Sequence, residues 1–183
     1  TQFQLNRIDQ FLSHELGDLR EEILLIGKRQ YKRNPFYGLN QLPDFINPYP
    51  AGFDQELAFL KIIIDHYLKR ELATNLRNEY WIRSGLLIHL MQEYVNRFYP
   101  NEKLLGSFSR WPVIRWSRLS KLEFNSQYKL IYLNGARNNV HQSLATPKDE
   151  LINFNANISN EYLAGVHINL LKQYLGIKIF KNF

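Results

Sequence analysis

Apolar residues recur along this chain at intervals of three and four positions, which is the spacing of amphipathic helices. The helices predicted from this spacing span residues 5–26, 54–72, 79–99, 126–144 and 160–175. Pro100 ends the third, Pro147 bounds the fourth, and Gly176 follows the fifth as a helix-ending residue. No stretch shows the sustained two-residue alternation of half-buried strands. The pattern therefore predicts an all-α bundle.

A segment rich in proline and glycine separates the first predicted helix from the others. It contains Pro35, Gly38, Pro43, Pro48, Pro50 and Gly52. Because these residues interrupt regular structure, residues 1–52 are interpreted as an amino-terminal helical arm with its connection, and residues 53–183 as the main helical domain. The Asn-rich stretch 153–160 is interpreted as a loop that supplies helix caps.

The composition is that of a globular protein, with 45% hydrophobic and 22% charged residues among 183. There is no cysteine, which excludes disulfides and thiolate metal sites and favours a reducing cytoplasm. The longest apolar stretches, such as residues 62–64 and 84–88, are far too short for a membrane-spanning helix. The amino terminus also lacks the basic start and apolar run of a signal peptide. We therefore expect a cytoplasmic protein without a membrane segment.

Basic and aromatic residues are interleaved within residues 107–121, a stretch without aspartate or glutamate. The cations are Arg110, Arg115, Arg118 and Lys121, and the indoles are Trp111 and Trp116. Together with a net charge of +6, such a set can bind single-stranded nucleic acid by phosphate attraction and base stacking. The alternative is a loop whose tryptophans cover the core while its arginines are solvated. The sequence leaves both interpretations open.

Arg137 and His141 are the residues that most suggest catalysis. In the helix predicted over 126–144 they would share one face, with Cβ atoms about 5–6 Å apart. An arginine can hold a phosphate while an imidazole moves a proton, and this combination can cleave RNA without a metal. Asn138 could add a hydrogen bond to the phosphate. The alternative is that both side chains merely satisfy the last carbonyl groups of the helix.

The segment from Leu133 to His141 resembles the signature of HEPN-domain ribonucleases, in which an arginine and a polar residue precede a histidine. The helix order over residues 54–180 most resembles the carboxy-terminal halves of the ancillary HEPN ribonucleases of type III CRISPR systems. It resembles the HEPN toxins of toxin–antitoxin pairs more loosely. The resemblance implies a HEPN-like bundle that forms a symmetric homodimer, with the two motifs facing each other across one composite site.

Under this resemblance the protein is a metal-independent endoribonuclease of antiviral defence, which cleaves single-stranded RNA to 2′,3′-cyclic phosphate ends without a cofactor. His141 would be the general acid or base, Arg137 the phosphate clamp and Asn138 an auxiliary. The chain departs from the signature because only three residues separate Arg137 from His141, whereas the family has four to six. On an ideal helix this turns the imidazole by about 100°. The alternative function is a non-catalytic helical module that binds nucleic acid or a protein.

Overall fold

The computed structural model describes residues 2–17 and 47–180. In chain order the α-helices are α1 (Gln2–Leu16), α2 (Phe53–Glu71), α3 (Tyr80–Phe98), α4 (Pro112–Arg115), α5 (Ser126–Arg137), α6 (Asn160–Leu175) and α7 (Ile177–Phe180). Short 3-10 helices lie at Gly106–Arg110, Arg118–Lys121 and Lys148–Glu150, and a π-helical turn at Asn155–Ser159. Within the described ranges no strand forms, apart from an isolated antiparallel bridge between Lys103 and Glu123. The predicted all-α class is confirmed.

Three of the predicted helices correspond closely to α2, α3 and α6. Helix α1 confirms the first prediction as far as Leu16 and ends there, because Gly17 has a φ of 83° and the predicted helix is not continuous through it. Residues 18–46, which include the remainder of that prediction, lie outside the described residues. The fourth prediction is wrong at its carboxyl end. Helix α5 stops at Arg137 instead of continuing to about Leu144, and the reason for this stop is central to the candidate site.

Helix α3 lies at the centre of the bundle and packs against both α2 and α6. Helix α1 joins the same hydrophobic core through Ile8, Phe11 and Leu12, which are buried. The larger buried side chains of the remaining core include Phe53, Leu57, Leu60, Ile64, Leu87, Ile88, Met91, Tyr94, Phe124 and Tyr128. No helix within residues 2–17 and 47–180 has the length and apolarity needed to cross a membrane.

Helices α3 and α6 approach each other closely where each carries a glycine. A Cβ atom on Gly85 would lie 3.0 Å from the carbonyl oxygen of Ala164, and one on Gly165 would lie 2.4 Å from Cγ2 of Ile88. Because interiors are packed at near-crystalline density, such an atom has no room. The two glycines therefore set the separation of α3 and α6, and with it the position of the segment that precedes α6.

A buried carboxylate links α1 to α2 and α3. Glu56 on α2 is fully buried and accepts hydrogen bonds from Arg7 on α1 and from the hydroxyls of Tyr94 and Tyr99. Arg7 Nε lies 2.9 Å from Glu56 Oε1, and the Tyr99 hydroxyl lies 2.7 Å from Oε2. Burial, and the hydrogen bond to Glu56, raise the pKa of Tyr99 to about 12. The charge of Glu56 is thus compensated, as burial of a carboxylate requires.

Candidate functional site

A Schellman turn ends α5 at the predicted catalytic motif. Asn139 has a φ of 56°, in the left-handed region that asparagine tolerates better than most residues. Its N–H donates to the carbonyl of Ala136 at 3.1 Å, and the Val140 N–H donates to the carbonyl of Gly135 at 3.0 Å. This pair of bonds satisfies the last carbonyls of α5 and reverses the chain. The helix therefore ends at Arg137.

His141 consequently lies beyond α5, and the helical face that Arg137 and His141 were predicted to share does not form. The Val140–Gly135 bond instead returns the chain alongside the last turn of the helix, so both residues belong to one reversal of the chain. Both side chains are exposed. The side-chain amide of the third predicted residue, Asn138, bonds to the end of the helix, where its Nδ2 donates to the carbonyl of Asn134 at 2.9 Å.

Buried polar side chains hold the backbone around His141. Asn155 has no exposed surface, and its Nδ2 donates to the carbonyl of Val140 and to Gln142 Oε1, both at 2.8 Å. Gln142 Oε1 also accepts from the Ile152 N–H at 2.8 Å, and Gln142 Nε2 donates to the carbonyl of Glu150 at 3.2 Å. The residues on both sides of His141 are therefore fixed by one buried amide.

A second buried asparagine continues this arrangement. Asn160 Nδ2 donates to the carbonyl of Ser143 at 3.2 Å and to the hydroxyl of Tyr80 at 3.0 Å. Burial raises the pKa of Tyr80, so its hydroxyl stays neutral. The interpretation of residues 153–160 as a loop is corrected, because a π-helical turn, Asn155–Ser159, leads there directly into α6. Such turns are frequently found at functional sites.

Residues 107–121, the Trp–Arg loop, leave the bundle through a narrow neck. The Leu104 N–H donates to the carbonyl of Leu122, and the Phe124 N–H donates to the carbonyl of Glu102, each at 2.9 Å. The base of the loop rests on Pro48, whose carbonyl accepts from the Ser107 N–H at 2.7 Å. Gly106 has a φ of 51°, and a Cβ there would lie 2.3 Å from the Pro48 oxygen, so only glycine fits. The loop is thus anchored at its base.

The outer part of the Trp–Arg loop presents aromatic and basic side chains to solvent. Trp116 is 91% exposed and Trp111 is 56% exposed, with the Trp111 ring 4.7 Å from that of Phe108. The Trp116 side chain therefore does not cover the core. The predicted cations, Arg110, Arg115, Arg118 and Lys121, are all exposed.

The positive charge of the Trp–Arg loop is largely uncompensated. Among the described residues, none of the ion pairs involves Arg115, Arg118 or Lys121. Arg110 has an acidic neighbour: burial raises the pKa of Glu102, and the charge of Arg110 offsets part of that rise. Three cations of the loop are thus available to an anionic partner, and Arg110 is the most shielded.

No family model, curated protein or solved structure matches the chain. Within residues 2–17 and 47–180 no group of three or more His, Asp and Glu side chains is arranged to hold a metal ion. The supporting residues Gln142, Asn155 and Asn160 were missed by sequence reasoning. The Asn-rich composition of residues 153–160 was the available signal for these residues. The hydrogen-bond partners of Asn155 and Asn160 near His141, however, lie 13 or more positions away in the sequence.

Proposed function

We propose that the protein binds single-stranded RNA through the Trp–Arg loop. The observation that supports this proposal is the 91% exposure of Trp116 between two exposed arginines, Arg115 and Arg118. Indole faces stack on bases of any identity, and unpaired cations attract the phosphates between those bases. Trp111, Val113 and Leu119 of the same loop are also more than half exposed, at 56%, 89% and 55%, and an exposed apolar surface of this kind marks an interaction site.

Fluorescence anisotropy with a labelled single-stranded RNA tests this binding. Trp116→Ala removes one stacking platform worth about 1–3 kcal/mol, so we expect the Kd to rise about 5- to 150-fold. Tyr174→Ala is the matched control, because Tyr174 is an equally exposed aromatic side chain at 88% on α6. Arg118→Ala should reduce the slope of log K against log salt by about 0.7, the value for one phosphate contact on a single strand. Equal affinity of Trp116→Ala and wild type would refute the proposal.

We further propose that the bound RNA is cleaved without metal at the Arg137–His141 turn, in a cytoplasmic homodimer of antiviral defence. Support comes from the resemblance to the HEPN signature and from the exposure of both side chains at one anchored reversal. Neutral His141 takes the proton from a ribose 2′-hydroxyl, and Arg137 stabilises charge on the phosphoryl oxygens as that oxygen attacks phosphorus. The bond between phosphorus and the 5′-oxygen breaks, water donates a proton to the leaving 5′-oxygen, and the His141 imidazolium returns its proton to solvent. The products are a 2′,3′-cyclic phosphate and a 5′-hydroxyl.

Incubation of labelled single-stranded RNA with the protein in chelator tests this cleavage. We expect cyclic-phosphate ends from wild type and their loss in His141→Ala and Arg137→Ala. His167→Ala is the control, because His167 is an exposed histidine on α6 whose ring, among the described residues, bonds to the local Leu163 carbonyl alone. RNA binding without cleavage would refute the enzyme and select the non-catalytic binding module.

A further inference from the structure

We infer that Asn155 is a positioning residue that fixes His141 for proton transfer, an inference that rests on the proposed cleavage. His141 lies on an exposed turn beyond the end of α5, so the helix does not hold it in place. The two hydrogen bonds from Asn155 Nδ2 reach the carbonyl of Val140 and the side chain of Gln142 at 2.8 Å. One buried donor therefore secures both chain neighbours of the imidazole.

The environment of Asn155 makes this anchor rigid. Its side chain has no exposed surface, so water cannot replace either hydrogen bond when the turn moves. The acceptor in Gln142 is itself fixed, since its Oε1 receives a second hydrogen bond from the Ile152 N–H. Displacement of the backbone at His141 thus requires that the hydrogen bonds from Asn155 to Val140 and Gln142 break.

Proton transfer depends strongly on such fixation. A general acid or base must lie within hydrogen-bond reach of the atom it serves, and a misplacement of about 1 Å costs on the order of 100-fold in rate. A free imidazole on a surface turn would sample many positions. The bonds from Asn155 confine the backbone that carries it, whereas RNA affinity is assigned to the separate Trp–Arg loop. Loss of Asn155 should therefore lower kcat and leave KM nearly unchanged.

The test compares Asn155→Ala with Asn157→Ala by steady-state cleavage of single-stranded RNA. Asn157 is the matched control because it lies on the same π-helical turn and is exposed, and because within the described part of the chain its side chain bonds to the Asn153 carbonyl alone. For Asn155→Ala we expect kcat to fall on the order of 100-fold with KM within twofold of wild type. If Asn155→Ala does not fold, the partly exposed Gln142→Ala replaces it, with a kcat reduced about tenfold because one of the two contacts remains.

Amide hydrogen exchange at Asn139 and Val140, whose N–H groups donate to Ala136 and Gly135, gives a readout that does not need activity. In folded Asn155→Ala, exchange of these two amides should rise about tenfold because the turn opens locally more often, while Asn157→Ala stays at the wild-type rate. Wild-type protein that cleaves, with His141→Ala inactive and Asn155→Ala at full kcat, would overturn the inference alone. Wild-type protein that does not cleave would instead overturn the proposed enzyme, and the exchange data would still show whether Asn155 holds the turn.

Discussion

Replacement of Arg7 by methionine should destabilise the fold strongly, because it leaves the Glu56 carboxylate buried without its countercharge. Glu56 is fully buried, while the Arg7 side chain is only 20% exposed. Removal of one partner from a buried ion pair costs about 3–5 kcal/mol. The hydroxyls of Tyr94 and Tyr99 still donate to Glu56 after the substitution, and water can enter from the exposed side of residue 7. These two factors place the expected loss at the lower end, about 3 kcal/mol.

Urea unfolding followed by circular dichroism measures this loss directly, provided that the slope with urea is unchanged. For a chain of this length, about 3 kcal/mol corresponds to a Tm lowered by roughly 6–12 °C. Arg97→Met is the matched control, since Arg97 is exposed on α3, stacks on Phe98 at 5.6 Å and pairs with no carboxylate among the described residues. That variant should stay within about 0.5 kcal/mol of wild type.

A double-mutant cycle separates the ion pair from general damage to α1. If Arg7 acts through Glu56, then Arg7→Met combined with Glu56→Gln costs less than the sum of the single changes, by about 1–3 kcal/mol. Additive losses, or an Arg7→Met variant as stable as Arg97→Met, would refute the reasoning. Either result would mean that the carboxylate is compensated by the tyrosines alone.

The other predictions concern Gly165, which lies at the crossing of α3 and α6, Gly135, which has room for a Cβ atom, and the buried His89. Gly165→Ala should lower the free energy of unfolding by about 2 kcal/mol, because its Cβ would lie 2.4 Å from Ile88. Gly135→Ala should raise the free energy of unfolding by about 0.5–1 kcal/mol, since its Cβ would lie at an ordinary 3.5 Å from Ser159 Oγ. Urea unfolding compares both variants with wild type, and a Gly165→Ala variant as stable as wild type would contradict the close crossing of α3 and α6. Burial lowers the pKa of the His89 imidazole below its ordinary value of about 6.5. Below about pH 6.5 the unfolded chain therefore binds a proton at His89 more readily than the folded chain does, and the free energy of unfolding should fall as the pH drops. A stability that stays flat from pH 7.5 to 5.5, or a His89 imidazole that titrates by NMR at its ordinary pKa, would show that His89 is not kept neutral by burial.

The helices could be predicted where local pattern and burial agree. Helices α2 and α3 carry apolar stripes that face the core, so their sequence spacing was sufficient. Helix α6 forms where its spacing predicts it, although Leu170, Leu171 and Tyr174 of its apolar stripe are exposed. The end of α5 could not be found this way, because its apolar spacing continues into residues that the Schellman turn removes from the helix. That turn uses asparagine instead of the more common glycine at the left-handed position, which weakened the signal.

The candidate site was predicted in part, for a related reason. Arg137, His141 and the Trp–Arg loop are recognisable from residue type and spacing alone. The groups that fix them are not, since Asn155 and the Pro48 carbonyl reach their partners through the folded structure. The same holds for Glu56, whose countercharge Arg7 lies 49 positions away. Sequence spacing indicates which side chains have suitable chemistry, whereas their support depends on tertiary contacts.

The neck of the Trp–Arg loop has a consequence for how such a protein can diversify. Because Leu104 and Leu122 are hydrogen-bonded at 2.9 Å, the excursion starts and finishes at one point on the helical scaffold. The entropy of closing a loop changes slowly with its length. The outer part of the Trp–Arg loop can therefore be lengthened, shortened or replaced without disturbing the packing of the helical core. Under the proposed RNA binding, the ligand preference of the loop can therefore change in evolution while the helical scaffold stays the same.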